Sequence, residues 1–182
     1  MRVIGITGRN CAGKDSVADV LVELGFARHS LSDALRDELR RRGTPITREN
    51  LIRAGNDLRH AEGPAVLAER MKGLMHGEDR VALVSIRNPR EVEALRDLGG
   101  FVLIGVDAPT AVRFERERDR NRESAVETLE AFEALEAQEN TSDPEAQQLD
   151  ETFALADEVI LNDATLEDLH ARVLAFLETL DG

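Results

Sequence analysis

Nine residues constrain this chain more than any others: Gly8-Arg9-Asn10-Cys11-Ala12-Gly13-Lys14-Asp15-Ser16. Before them, residues 2–7 read Arg-Val-Ile-Gly-Ile-Thr, a short apolar run rich in β-branched side chains that predicts a buried strand. After them, Val17, Val20, Leu21 and Leu24 recur at helical spacing until Gly25. A strand that turns through Gly8-x-x-x-x-Gly13-Lys14 into a helix is the context in which this pattern has physical meaning. The glycines permit the turn. The unpaired N–H groups at the helix start, helped by the helix dipole, suit phosphate oxygens. Lys14 adds a compact positive charge at the point where β- and γ-phosphates lie.

The rest of the chain continues the alternation of strands and helices. Strands are predicted over 26–31, 80–86, 101–106 and 158–161. Helices are predicted up to Arg42 from a cap at Ser32 or Asp33, from Thr47 to about His60, from Gly63-Pro64 to near Gly77, from Pro89 to Leu98, and from Pro109 onward. The last spans 165–180, with Leu166, Leu169, Val173, Leu174 and Leu177 expected to face inward. Strands separated by helical segments imply a parallel sheet covered on both faces. The expected architecture is a three-layer α/β domain of about five parallel strands, the first near the centre. At 182 residues one domain suffices, and chains of this size bury roughly 70% of the surface that unfolding exposes. Within it, a helical acceptor-binding region over about 32–77 and a lid over about 110–148 are expected, because residues 113–139 are too polar to be core throughout.

Composition narrows the partners. The formal net charge of −13 argues against nucleic-acid or anionic-membrane binding, since both attract basic surfaces. No apolar run approaches the roughly 20 residues of a membrane span. One cysteine excludes an internal disulfide and, with no signal-peptide pattern, suits a reducing cytoplasm. His29, His60, His76 and His170 are scattered without metal-ligand spacing.

Several residues carry two readings. Asp15 stands where Ser or Thr normally holds Mg²⁺; as a hard oxygen donor it suits the metal, with Ser16 beside it, or it serves as a favourable charge at the helix start. Cys11, near that same helix start where thiol pKa is lowered, is read as an accessible thiol or as a small filler of the loop. Asp33 and Arg36 follow the second strand, where they orient an acceptor or merely begin a helix. Arg53, Asn56 and Arg59 are read as sharing a face that takes an acceptor phosphate, or as a solvated surface. Arg87 follows a strand, and ligands bind beyond the carboxyl ends of parallel strands. Arg113, Arg116 and Arg120 form a stripe that fits a lid closing over phosphates, against the reading of an exposed salt-bridged helix, with Arg118 and Arg122 pointing elsewhere. Asp107 ends a strand at the Walker B position but precedes Ala-Pro, so a helix cap is preferred.

Gly13-Lys14-Asp15-Ser16 resembles the phosphate loop of phage deoxynucleoside monophosphate kinases and animal phosphomevalonate kinases. Ser85-Ile86-Arg87-Asn88-Pro89-Arg90-Glu91 resembles their strand-end segment, with Ser85 where that family carries an Asp. Val106-Asp107-Ala108-Pro109, Arg116, Arg120 and the run from Ala156 to Asp163 are similar to dephospho-coenzyme A kinases. Over nearly its full length the chain resembles archaeal and bacterial nucleotide-kinase-like proteins, some fused to deoxycytidylate deaminases. No H-x-E or P-C-x-x-C zinc signature is present, so deaminase chemistry itself is not expected.

The resemblance implies a P-loop kinase that uses ATP and Mg²⁺ to phosphorylate a (deoxy)nucleoside monophosphate. Its alternatives are a kinase of dephospho-coenzyme A or another small phosphorylated metabolite, and a nucleotide-sensing module without turnover. On this reading Gly8, Asn10, Cys11, Ala12, Gly13, Lys14, Asp15, Ser16 and Asn162 hold the nucleotide, with Asp15 and Ser16 on the metal. Asp33, Arg36, Arg59, Arg87 and Glu91 hold the acceptor. Lys14, Asp33, Arg87, Arg116 and Arg120 act on the transferred group.

Overall fold

A computed structural model describes residues 1–120, 126–140, 143 and 145–181. Arg122 and parts of the expected lid lie outside the described residues. Five strands, β1 (Arg2–Gly8), β2 (Ala27–Ser30), β3 (Arg80–Val84), β4 (Phe101–Asp107) and β5 (Glu158–Leu161), form one parallel sheet in the order β2-β3-β1-β4-β5. The central place of β1 follows from its burial, with six of its seven residues inaccessible. A strand with both neighbours present and both faces covered must be apolar throughout.

Helices α1 (Lys14–Glu23) and α9 (Leu166–Asp181) cover one face of the sheet. Ile4, Ile6, Ala82, Val84, Ile104, Val106 and Ile160 pack against them. Helices α2 (Leu31–Arg41), α3 (Arg48–Glu62), α4 (Val66–Leu74) and α5 (Pro89–Arg96) enclose the second core cluster with Val3, Val81, Leu83 and Leu103. Helix α8 (Leu149–Ala154) joins this face, where Phe153 lies against the backbone of Gly105. Helices α6 (Thr110–Arg120) and α7 (Leu129–Glu139) stand beyond the carboxyl ends of the strands, joined by Phe114 and Phe132 at 6.0 Å and by the Arg113–Glu136 ion pair. Among the described residues no helix is long and apolar enough to cross a membrane.

Two expectations are corrected. The cap of α2 is Ser30, not Ser32 or Asp33. Strand β2 turns directly into the helix, and the extended Ser30 accepts a hydrogen bond from the Ser32 amide at 3.3 Å. Leu166 and Leu174 do not face inward; they are 72% and 37% exposed. The stripe of α9 that meets the core is Leu169, Val173, Phe176 and Leu177, and Leu174 is rotated off it by one helical step.

Candidate nucleotide and acceptor site

The phosphate loop is held from behind. Gly13 has φ +101°, and a Cβ there would collide with the side-chain amide of Asn162. That amide donates to the Ala12 carbonyl at 2.9 Å, and the Asn162 N–H donates to Asp107 O at 2.7 Å, fixing the end of β5 beneath the loop. Helix α6 supplies two further props. Arg113, 1% exposed, donates to Asn10 O and Ala108 O. Arg116 donates to Asn162 O at 2.9 Å and to Cys11 O and Ala12 O at 3.4 Å each. The predicted arginine stripe is therefore divided: Arg113 and Arg116 buttress the loop backbone, while Arg120 lines the cavity in front of it. Exposed Arg118 pairs with Glu115.

Lys14 donates to the carbonyls of Gly8 at 2.8 Å and Arg9 at 2.6 Å. Burial, followed by the Arg87 charge, lowers its pKa to about 8. Two cations facing one space describe a place built for an anion. The expectation for Cys11 is corrected. Burial and a hydrogen bond to Glu117 at 3.0 Å push its thiol up to about 11, because a thiolate would sit beside a carboxylate. Cys11 also holds a left-handed backbone, φ +56°.

In front of the loop lies a cavity of about 850 Å³ that continues from Asn10–Ser16 to α2, α3 and the end of β3. Lys14, Arg28, Arg36, Arg48, Arg59, Arg87, Arg116 and Arg120 line it, against the carboxylates of Asp15, Asp33 and Glu117. In a chain of net charge −13 this convergence makes the cavity the candidate anion site. Leu35, Ile46, Leu51, Ile52 and Leu67 give its far half an aliphatic wall.

Beyond the loop, at the start of α2, Arg36 donates to Asp33 at 2.6 Å and to Ser32 at 2.9 Å. Ser30, Ser32 and Ser85 bring three hydroxyls together, with Oγ–Oγ distances of 2.8 and 2.9 Å from Ser30. Ser85 is held at φ +67°, a strained conformation for a residue with a side chain. Arg87 donates to Gln147 at 2.9 Å. Arg53, Asn56 and Arg59 do not share a face. Arg53 is exposed and bonds Asn50, whereas Arg59 is 2% exposed and turned inward, because residues six apart on a helix diverge by more than a right angle. Glu91 is fully buried; it pairs with Arg59 and completes a capping box at the start of α5, accepting from the Arg87 and Asn88 amides.

Asp15 and Ser16 present hard oxygens at the start of α1, a donor set that fits Mg²⁺, which keeps most of its waters and takes few protein ligands. The Asp15 carboxylate is paired with Arg28 and must leave it to reach a metal. Among the described residues no cluster of three or more acidic, His or Cys ligands exists.

Sequence reasoning missed Glu117, Gln147 and the structural use of Asn162 and Arg113. A local signal for the role of Glu91 was present but not read: Asn88-Pro89-Arg90-Glu91 carries cap, first-turn Pro and third-position Glu in order.

The chain matches the AAA_18 family, described as an AAA domain, over residues 4–141. It is 31% identical over 182 residues to the UPF0200 protein of Hyperthermus butylicus, covering 99% of this chain and 95% of that protein. It is 33% identical over 183 residues to the UPF0200/UPF0201 protein of Archaeoglobus fulgidus, covering 97% of this chain and 55% of that protein, so it spans about half of that relative. Among solved structures it is similar to TT1252 from Thermus thermophilus, with a TM-score of 0.60, 26% identity, and coverage of 100% and 98% of the two chains. It is similar in fold to shikimate kinase from Aquifex aeolicus, with a TM-score of 0.56, 18% identity and 98% coverage of both. This chain thus belongs to the AAA_18 family and to the UPF0200 proteins, and it has the fold of a P-loop kinase.

Proposed function

We propose that the protein is an ATP- and Mg²⁺-dependent phosphotransferase whose acceptor is a (deoxy)nucleoside monophosphate. The observation that carries this reading is the continuity of one cation-lined cavity from the phosphate loop to the arginines of the acceptor side. A nucleotide sensor needs only the loop. A transferase needs a second anion brought up to the first, and Lys14 and Arg87 lie close enough for each charge to act on the other.

On this reading the loop amides and Lys14 hold the β- and γ-phosphates. Asp15 and Ser16 hold Mg²⁺, which neutralises charge on the phosphates when bound. Arg87 and Arg120 face the transferred group. Asp33, released from Arg36, orients the acceptor oxygen. The aliphatic wall of Leu35, Leu51, Ile52 and Leu67 suits the flat apolar face of a base. A screen with γ-labelled ATP against all ribo- and deoxynucleoside monophosphates and dephospho-coenzyme A tests it. Label is expected in a nucleoside diphosphate. Label in dephospho-coenzyme A alone would reassign the acceptor, and ATP binding without transfer to any of them would favour a sensor.

A further inference from the structure

Arg59 on α3 and Glu91 on α5 are 2% and 0% exposed. Nε and Nη2 of Arg59 both donate to Oε1 of Glu91, at 3.1 and 2.7 Å. The other oxygen, Oε2, accepts from the Arg87 amide at 2.8 Å and the Asn88 amide at 3.1 Å. One carboxylate therefore fixes the Arg59 guanidinium against the backbone from which the Arg87 side chain extends. Both arginines line the cavity, and Glu91 does not.

A guanidinium offers five N–H groups, and a buried one left unmatched is costly. Nη1 of Arg59 is buried and has no partner among the described residues. The other such atom, Asn56 Oδ1, belongs to a residue outside the cavity lining. Space for Nη1 depends on Gly55, where a Cβ would stand 3.1 Å from Nη1 and 3.4 Å from Leu35 Cδ1. A guanidinium locked on one side by a carboxylate, with a buried donor left over beside a cation-lined cavity, has the form of a site whose last partner is a ligand.

We propose that Arg59 and Arg87, held in register by Glu91, form a clamp for a fixed anionic group of the acceptor, a phosphate monoester or a carboxylate. This rests on the reading that the other half of the cavity holds the donor nucleotide. The Arg59–Glu91 pair is neutral as a unit, so the attraction for an anion comes from the other cations that line the cavity, Arg87 among them. Arg59 supplies a donor of fixed direction in a poorly solvated wall, where a charge-assisted hydrogen bond is strong. Glu91 is a positioning residue that touches no ligand.

The test is calorimetric titration of inorganic phosphate, and separately acetate, into the chain saturated with Mg²⁺ and the non-hydrolysable analogue AMPPNP. Phosphate binding is expected, weakened at least tenfold by Arg59→Gln, Arg87→Gln or Glu91→Gln, with AMPPNP affinity changed less than twofold by Arg59→Gln and Glu91→Gln. Arg59→Gln strands Glu91 in the interior and can unfold the chain. Gly55→Ala keeps the ion pair and crowds Nη1, so it should weaken phosphate at least threefold without lowering the melting temperature. In turnover, Glu91→Gln should raise KM for the acceptor and leave KM for ATP unchanged. Acetate binding without phosphate binding would assign the clamp to a carboxylate acceptor. Binding of neither probe, or phosphate binding indifferent to Gly55→Ala and Arg87→Gln, would overturn it. If AMPPNP does not bind, the nucleotide reading fails by itself. The clamp is then read by the same titration on Lys14→Ala, where the loop no longer competes for phosphate.

Discussion

The two halves of the cavity are built in opposite ways. The half proposed to hold the donor is a backbone structure: a loop whose carbonyls are held by Asn162, Arg113 and Arg116, with one lysine at its centre. The acceptor half is a side-chain structure, in which arginines from separate helices are aimed by carboxylates such as Asp33 and Glu91. A site made of amides is fixed wherever the chain folds, so donor binding should resist most surface substitutions. A site made of ion pairs depends on each partner, so acceptor recognition should be the more easily lost.

Lys14→Ala should divide the halves most sharply. Transfer is expected to fall by about 10²–10³-fold or more, the loss typical of removing one preorganised stabilising group. The melting temperature without nucleotide should not fall, since Lys14 carries a depressed pKa and its burial as a cation is unfavourable. Unchanged turnover would break the assignment of the donor half.

Within the acceptor half, burial decides the cost. Glu91→Ala leaves Arg59 charged and unpaired in the interior and should destabilise the fold by about 3–5 kcal/mol. Asp33→Ala breaks an exposed pair and should cost at most about 1 kcal/mol while still lowering turnover. Denaturant titration of both variants checks this. Equal costs would mean that the buried pair is not the keystone described here.

On α6 the contrast is within one helix. Arg116→Ala removes three bonds, to the loop and to Asn162, and should weaken ATP binding as well as turnover, by about tenfold for a charged hydrogen-bond network. Arg120→Ala, which removes a cavity charge, should lower kcat more than ATP affinity. Arg118→Ala should be nearly silent. Matching small effects from all three would reduce α6 to a solvated surface.

The smallest effect concerns Cys11. With its thiol pushed up to about 11, alkylation near neutral pH should be slower than for a free thiol. The rate should rise up to tenfold per pH unit towards that value, because only the thiolate reacts. Glu117→Gln should quicken it by removing the neighbouring negative charge. Fast labelling at pH 7, unchanged in that variant, would contradict the Cys11–Glu117 contact.

The same contrast explains what the sequence revealed. Local patterns carried the donor half: strand, glycines, Lys14 and apolar periodicity are all close in sequence, and the five parallel strands with β1 central followed from them. The acceptor half, and the props behind the donor loop, depend on meetings across the chain. Arg59 finds Glu91 32 residues away, Arg87 finds Gln147 60 away, and Asn162 props Ala12 from 150 away. No periodicity encodes such pairs. The reading of Glu91 as an acceptor ligand overlooked the local capping box with Asn88, and its ion pair with Arg59 on another helix left no local mark. The Cys11 thiol was misjudged for the same reason, since burial raises its pKa first and Glu117, 106 residues distant, raises it further.

The central claim is that both halves are filled at once, by a donor and a separate phosphorylated acceptor. A dinucleoside pentaphosphate joins two nucleotides through the path that transfer would take, and its calorimetric binding to the chain tests this directly. The account predicts one molecule bound per chain, at least about a hundredfold more tightly than ATP because the second half binds at little further entropic cost. Arg87→Gln should erase that advantage, measured against the variant's own ATP affinity. Binding no tighter than ATP, or an advantage untouched by Arg87→Gln, would contradict it.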